Sequence, residues 1–250
     1  MIVQLRRLIH DKIVCVMAHG KSIEELEQRI EEFKDYNTCW VSMGQFDLME
    51  QHILSKIGKK LSIIQDCSEV ENARKYESEC RFPRVREFLL RPEANQFITA
   101  DVIIDSMYGI GQKGFLETPE IENKIYVITK ETWSQVPNGM TLLLTTLALN
   151  GARKIIVFGL DGYEGDSKEA RFSYYRYKER ESELITAFGS LEKSGLHSDS
   201  HAFNYQFHSF YTFKRIELNL DYIPIINCSI NSIFTLFPKI SYEEIHKEFV

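Results

Sequence analysis

The sequence predicts an α/β protein built on a mostly parallel sheet flanked by helices, and three observations carry that expectation. Short apolar runs alternate with amphipathic runs of helix length over residues 12–66, the pattern of βαβ units. The stretch 140–148 is uncharged and of helix length, and it meets Gly151, which takes positive φ at no steric cost and so ends a helix. Lys154–Phe158 is then a short apolar run, as a strand buried on both faces requires, and Gly159-Leu160-Asp161-Gly162 sets a carboxylate just past it.

Element by element, residues 12–18 read as the first strand and His19-Gly20-Lys21 as its turn. Ser22-Ile-Glu-Glu25 fits the S-x-x-E capping box, and Ile23, Leu26 and Ile30 share one face of the helix that follows. Residues 39–43 form a second strand, 46–57 a helix ended by Gly58, and 61–64 a third strand running into Gln65-Asp66. Helices are expected at 68–79 and 83–90, and strands at 100–104 and 124–129. After Asp161 the composition turns charged and tyrosine-rich, with a helix expected at 177–191. This reads as a lid-like insertion over 163–207, after the fifth or sixth strand, set into a Rossmann-like domain made of 1–162 and 208–250. A helix near 203–220, a strand at 223–227 and a short amphipathic tail complete the chain.

Composition narrows the function. The 250 residues are 44% hydrophobic, enough for one large core, and the net charge of -6 argues against nucleic acid as the main partner. Five scattered cysteines without CxxC spacing argue against a disulfide framework or a zinc ribbon. Cys15, Cys39 and Cys228 sit in apolar runs and read as small core residues, in keeping with a reducing cytoplasm. The apolar pair Leu8-Ile9 is interrupted at once by His10, Asp11 and Lys12, so neither a signal peptide nor a membrane span is expected.

In open parallel sheets, ligands bind outside the carboxyl ends of the strands. Three such ends carry polar residues: His19, Gly20, Lys21 and Ser22 after the first strand, Gly44 and Gln45 after the second, Gln65 and Asp66 after the third. Together they imply one crevice. The first turn reads either as a phosphate cradle or as an ordinary solvated turn. Asp161 reads as a ligand for a metal, a ribose or a substrate hydroxyl, or as a cap on the next element, and its strand-end place favours the site. His208, among Phe203, Tyr205, Phe207, Phe210 and Tyr211, reads equally as a base working near neutral pH or as a packed histidine. Gly109-Ile-Gly111-Gln-Lys-Gly114 matches GxGxxG, but Pro119 follows where a helix is needed, so a surface loop is the better reading. His197-x-Asp199-x-His201 lacks a third metal ligand at usual spacing and reads as a polar loop.

These motifs, in this order, resemble the bacterial sialyltransferases of glycosyltransferase family forty-two. They also resemble the related motility accessory factors and hydroxymethylpterin diphosphokinases. Ala18-His19-Gly20-Lys21-Ser22-Ile23 is similar to the G-x-G-P-S-L turn of these groups. Asn138-Gly139, Ala148, Gly151 and Lys154 through Asp161 are similar to their central S-G…A…G…G-x-D segment. Met43-Gly44-Gln45-Phe46 resembles the sialyltransferase N-Q-F element, His208-Ser209 its histidine-serine pair, and Cys228-Ser229 through Phe237-Pro238 its C-x-x-x-S…F-x-x-x-P end. Ala18, Lys21, Gly44 and Asn138 depart from those patterns.

The resemblance implies a GT-A-type fold and an inverting, metal-independent glycosyltransferase. A sialic-acid-like sugar would pass from a nucleotide donor such as a CMP-sugar to a glycan acceptor. It implies His208 as general base, with Tyr163 and Tyr174 on the donor phosphate together with backbone N–H groups near Gly20 and Gly139. Gln45 and Asp66 would hold the nucleotide sugar. No cofactor beyond this substrate is expected. The enzyme would work on glycan precursors in the cytoplasm, peripherally at the inner membrane, alone or as a homo-oligomer. The diphosphokinase relatives imply instead magnesium-dependent pyrophosphoryl transfer with Asp161 and Asp66 as metal ligands. The departures support a third alternative, a non-catalytic nucleotide-sugar-binding scaffold.

Overall fold

A computed structural model describes residues 2–18, 20–43, 50–66, 100–105, 125–127, 139–161 and 222–249. Its centre is a seven-stranded sheet whose neighbouring strands all pair in parallel. The strands are β1 (Ile13–Met17), β2 (Cys39–Met43), β3 (Ile63–Asp66), β4 (Val102–Asp105), β5 (Ile125–Val127), β6 (Lys154–Phe158) and β7 (Ile225–Asn227). Their spatial order is β5-β4-β3-β2-β1-β6-β7. The chain steps outward from β1 to β5, then returns to the other side of β1 for β6 and β7. This is the Rossmann-like parallel α/β arrangement expected from the alternation of runs.

Side chains alternate across the sheet into two apolar layers. Val14 and Val16 of β1 join Ile155 and Val157 of β6 in one layer, and Cys15 and Met17 join Ile156 and Phe158 in the other. The first layer is covered by α1 (Ile2–Ile9) and α4 (Gly139–Leu149). The second is covered by α2 (Ile23–Arg29), the 3-10 turn Ile30–Phe33, α3 (Gln51–Lys56) and the C-terminal 3-10 turn Ile245–Phe249. Phe33 anchors that second layer. Its ring meets Trp40 at 6.3 Å and Phe158 at 5.6 Å, both edge-on, the arrangement favoured by aromatic quadrupoles.

The helix ends follow local chemistry. Gly151, with φ +95, closes α4: its amide donates to the Ala148 carbonyl, and the Ala152 amide donates to the Leu147 carbonyl, both at 3.3 Å. This paired pattern satisfies orphan carbonyls at the end of a helix. Gly58, with φ +64, follows α3 as expected. Among the described side chains of α4, those at 140 and 143–149 are all buried, as expected of a helix uncharged on every side.

Two expectations are corrected. Residues 2–9 form α1, an element the interrupted apolar pattern did not reveal. Leu5 and Ile9, one turn apart, are fully buried while Arg6 and Arg7 stay exposed. The capping box does not form either: Ser22 is in a helical conformation and makes no side-chain cap bond to its own helix. Its hydroxyl has a partner elsewhere in the chain.

After β7 the tail turns around the sheet edge. Phe234 and Phe237 enter the first layer, and Tyr242 and Ile245 the second. The Asn227 amide donates to the Pro238 carbonyl at 2.9 Å, and the Ile240 amide to the Asn227 carbonyl at 3.1 Å, so the tail covers the free side of β7. No helix of the described residues is long and apolar enough to cross a membrane. The insertion at 163–207 and the helices expected at 68–79, 83–90, 177–191 and 203–220 lie outside the described residues.

Candidate functional site at the strand switch point

The strand order reverses between β1 and β6. From β1 the chain goes on to β2 on one side, while β6 and β7 lie on the other, the switch-point arrangement at whose strand carboxyl ends ligands bind in open parallel sheets. The backbone itself builds the floor. The Ala18 amide donates to the Phe158 carbonyl at 2.8 Å, and the Gly20 amide to the Gly159 carbonyl at 2.9 Å. Such close approach demands two glycines. A Cβ on Gly20 would stand 2.3 Å from the Gly159 carbonyl oxygen and 2.7 Å from Asp161 Oδ2. Gly159 has φ +73, and a Cβ there would lie 2.5 Å from the Ala18 carbonyl oxygen.

Asp161 ties the two strand ends together. The Ser22 amide donates to its Oδ2 at 2.8 Å, and the Ser22 hydroxyl donates to its Oδ1. That hydroxyl has only one hydrogen, so it accepts from the Ser229 hydroxyl, 2.6 Å away. Ser229 is held in turn: its amide donates to Asn227 Oδ1 at 3.0 Å, and Asn227 Nδ2 donates to the Leu160 carbonyl at 3.0 Å. The Ile233 amide donates to the Asp161 carbonyl at 2.9 Å. The ends of β1, β6 and β7 thus meet in one hydrogen-bonded corner. Asp161 thus holds Ser22, the residue before α2, 139 positions back along the chain, and the next element, which the other reading had it cap, lies outside the described residues.

This wiring bears on where an anion fits. The Ser22 amide is engaged by Asp161, the Ile23 amide by the Gly20 carbonyl at 3.1 Å and the Glu24 amide by the Lys21 carbonyl at 3.0 Å. A phosphate seated on this turn would have to displace the Asp161 carboxylate. Lys21 is exposed on the turn. Burial pushes the thiol of Cys228, next to Ser229, far up, and the neighbouring Glu25 and Glu248 add to the shift. Burial likewise raises the Tyr242 hydroxyl well above its ordinary value, with Cys228, Glu25 and Asp161 adding to it. Both groups are neutral packing elements beneath the corner.

Of the sequence candidates, Gly20, Ser22 and Asp161 converge here, with Lys21 beside them. Gly139 is the first residue of α4. Asp66 closes β3, separated from β1 by β2, and its register partner is Asp105 at the end of β4. His19, Gly44, Gln45, Asn138, Tyr163, Tyr174 and His208 lie outside the described residues, as do the glycines at 109–114 and His197, Asp199 and His201. Gly159, Asn227 and Ser229 are corner residues that sequence reasoning did not single out as site residues. The quoted G-x-D and Cys228-Ser229 motifs held the signal for Gly159 and Ser229. Among the described residues, no group of three or more His, Cys, Asp or Glu side chains is placed to hold a metal ion.

Fold and corner together define a Rossmann-like parallel α/β protein with a hydrogen-bonded polar corner at its strand switch point. No protein-family model matches the chain, and no curated protein sequence matches it.

Proposed function

We propose that the chain is an inverting, metal-independent glycosyltransferase. It would transfer a sialic-acid-like sugar from a CMP-type nucleotide donor to a glycan acceptor at the switch-point crevice. One observation carries the reading. Three segments far apart in sequence, each part of the resemblance, are wired into a single corner: Ser22 of the opening turn, Asp161 of the G-x-D segment and Ser229 of the C-terminal motif.

In this mechanism His208 takes the proton of the acceptor hydroxyl as the anomeric carbon is attacked. Charge builds on the departing nucleotide phosphate. The Gly20 amide is already bonded to Gly159, so this turn is not the donor that meets the phosphate. The role falls to the hydroxyls of Tyr163 and Tyr174 and to backbone amides near Gly139, the first residue of α4. Gln45 and Asp66 hold the nucleotide sugar, and residues 163–207 close over it to exclude water. The setting is cytoplasmic work on glycan precursors, peripherally at the inner membrane.

The second reading is magnesium-dependent pyrophosphoryl transfer, as in the diphosphokinase resemblance, with Asp161 and Asp66 as the acidic ligands; the backbone register of Asp66 with Asp105 sets a further acidic residue at the neighbouring strand end.

A thermal-shift screen of CMP, UDP, GDP, ADP, ATP and the matching nucleotide sugars, with and without magnesium, separates the readings, since a ligand bound to the native state raises the midpoint. A rise with CMP or a CMP-sugar alone is expected. A rise only with ATP or ADP plus magnesium selects the second reading, and no rise with any ligand selects a non-catalytic scaffold. With the donor found, His208→Ala is expected to lower kcat by about a hundredfold or more with nucleotide binding nearly unchanged. Equal loss of binding and turnover removes His208 from the base role.

A further inference from the structure

We propose that residues 227–249 act as a strap that couples an aromatic cluster at the far end of α2 to the switch-point corner, with the α2 helix as the lever between them. The strap grips both ends of one helical segment. At the near end, Ser229 meets the Ser22 hydroxyl at 2.6 Å, immediately before α2, and the Ile233 amide bonds the Asp161 carbonyl at 2.9 Å. At the middle, Tyr242 is 1% exposed and its ring lies 5.7 Å from Phe158.

The far end holds the last turn of α2 and the 3-10 turn that continues it. Arg29 Nη1 donates to Glu243 at 2.8 Å, and the same guanidinium bonds Glu32 at 3.0 Å and 3.2 Å. Glu32 in turn meets His246 Nε2 at 2.7 Å, and the Tyr36 hydroxyl lies 3.0 Å from His246 Nδ1. Tyr36 and Phe249 stack with centroids 4.4 Å apart and planes 8° apart, and Phe33 meets Phe249 edge-on at 5.7 Å. Lys59 Nζ bonds the Tyr36 carbonyl, which pins the chain at this cluster.

The physical argument rests on length. A helix of seven residues has little stability of its own, so its position is set by what it docks against. Both docking ends belong to the same stretch of chain. When the far end is loosened, α2 is free to tilt. The strain then falls on Ser22, whose amide and hydroxyl both end on Asp161. A change at the Tyr36–His246–Phe249 cluster is thereby read at the switch-point corner. The device stands whether or not the crevice binds a nucleotide sugar.

Amide hydrogen exchange on the full chain, without ligand, tests it. Spatial adjacency alone does not establish coupling, so the readout is a distant amide. In His246→Ala, the Ser22 amide is expected to exchange about tenfold faster along with residues 245–249, the order of effect of losing one charge-assisted contact. The amides of Val16 and Val157, inside β1 and β6, are expected to keep their rates. Phe249→Ala, which leaves the ionic contacts in place, is expected to act in the same direction. Faster exchange at 245–249 with Ser22 unchanged overturns the proposal. Equal acceleration of Ser22, Val16 and Val157 in both variants also overturns it, because the effect is then a global loss of stability.

Discussion

Gly20 and Gly159 show how much of the corner rests on missing side chains. Each lets one backbone reach the other's carbonyl, at 2.9 Å for the Gly20 amide. Gly58 is a useful contrast: it has φ +64, yet a Cβ there would meet nothing within 4 Å. Gly58→Ala therefore carries only the left-handed backbone cost, about 1 kcal/mol. Gly20 has no positive φ, but Gly20→Ala meets a clash with backbone that cannot move cheaply, and is expected to cost about 3 kcal/mol. Gly159→Ala combines both penalties and is expected to cost at least as much. Urea unfolding midpoints of the three variants check this order, and equal losses at Gly20 and Gly58 would refute it. Asp161 belongs to the same lesson. Its strand-end place was legible in the G-x-D spacing, but its partner Ser22 was not, because nothing in a linear pattern says which distant hydroxyl a carboxylate will meet.

Elements longer than a few residues and apolar throughout were the easiest to read. All seven strands and α4 fall within a few residues of their expected places, since a strand buried on both faces shows as an unbroken apolar run. The first helix was missed for a physical reason. Eight residues hold too few turns for a repeating stripe, and α1 buries Leu5 and Ile9 only because α4 and the sheet present a surface for them. Its stability is tertiary, so Leu5→Ala is expected to lose about 3 kcal/mol, as a buried leucine does. Chemical denaturation reads that loss; a change under about 0.5 kcal/mol, typical of surface positions, would mean that α1 does not contribute to the core. The α2 cap fails in the opposite sense. Ser22-x-x-Glu25 has the local chemistry of a capping box, yet Ser22 turns to Asp161, where a charged acceptor outcompetes its own helix.

For the whole molecule, burial of thiols on both faces of the sheet predicts how stability varies with pH. Burial pushes Cys39 from an ordinary value of 9.0 up to about 11, and raises Cys15 and Cys228 as well. A group whose pKa is raised on folding holds its proton longer in the native state than in the unfolded chain. The stability it contributes is complete below pH about 9 and is lost as pH climbs toward 11. Unfolding free energies measured across that window are expected to fall with rising pH. Cys39→Ala should flatten the fall by up to about 1.4 kcal/mol per pH unit, the full effect of one proton. Parallel profiles for the two proteins would exclude Cys39 as a source.

By itself the sequence determined the class of fold, the positions of the strands and the carboxyl edge on which polar residues gather. These are local properties: apolar runs, glycine stops and strand-end charges act within a few residues of where they are written. Only the tertiary structure decided that β6 returns beside β1 and that Ser22, Asp161 and Ser229 share one corner. Only it decided that the tail from Asn227 meets Ser22, just before α2, and Arg29, at its end. Those outcomes depend on which distant surfaces bury one another, a choice made by packing across the whole chain, and no short stretch of residues encodes it.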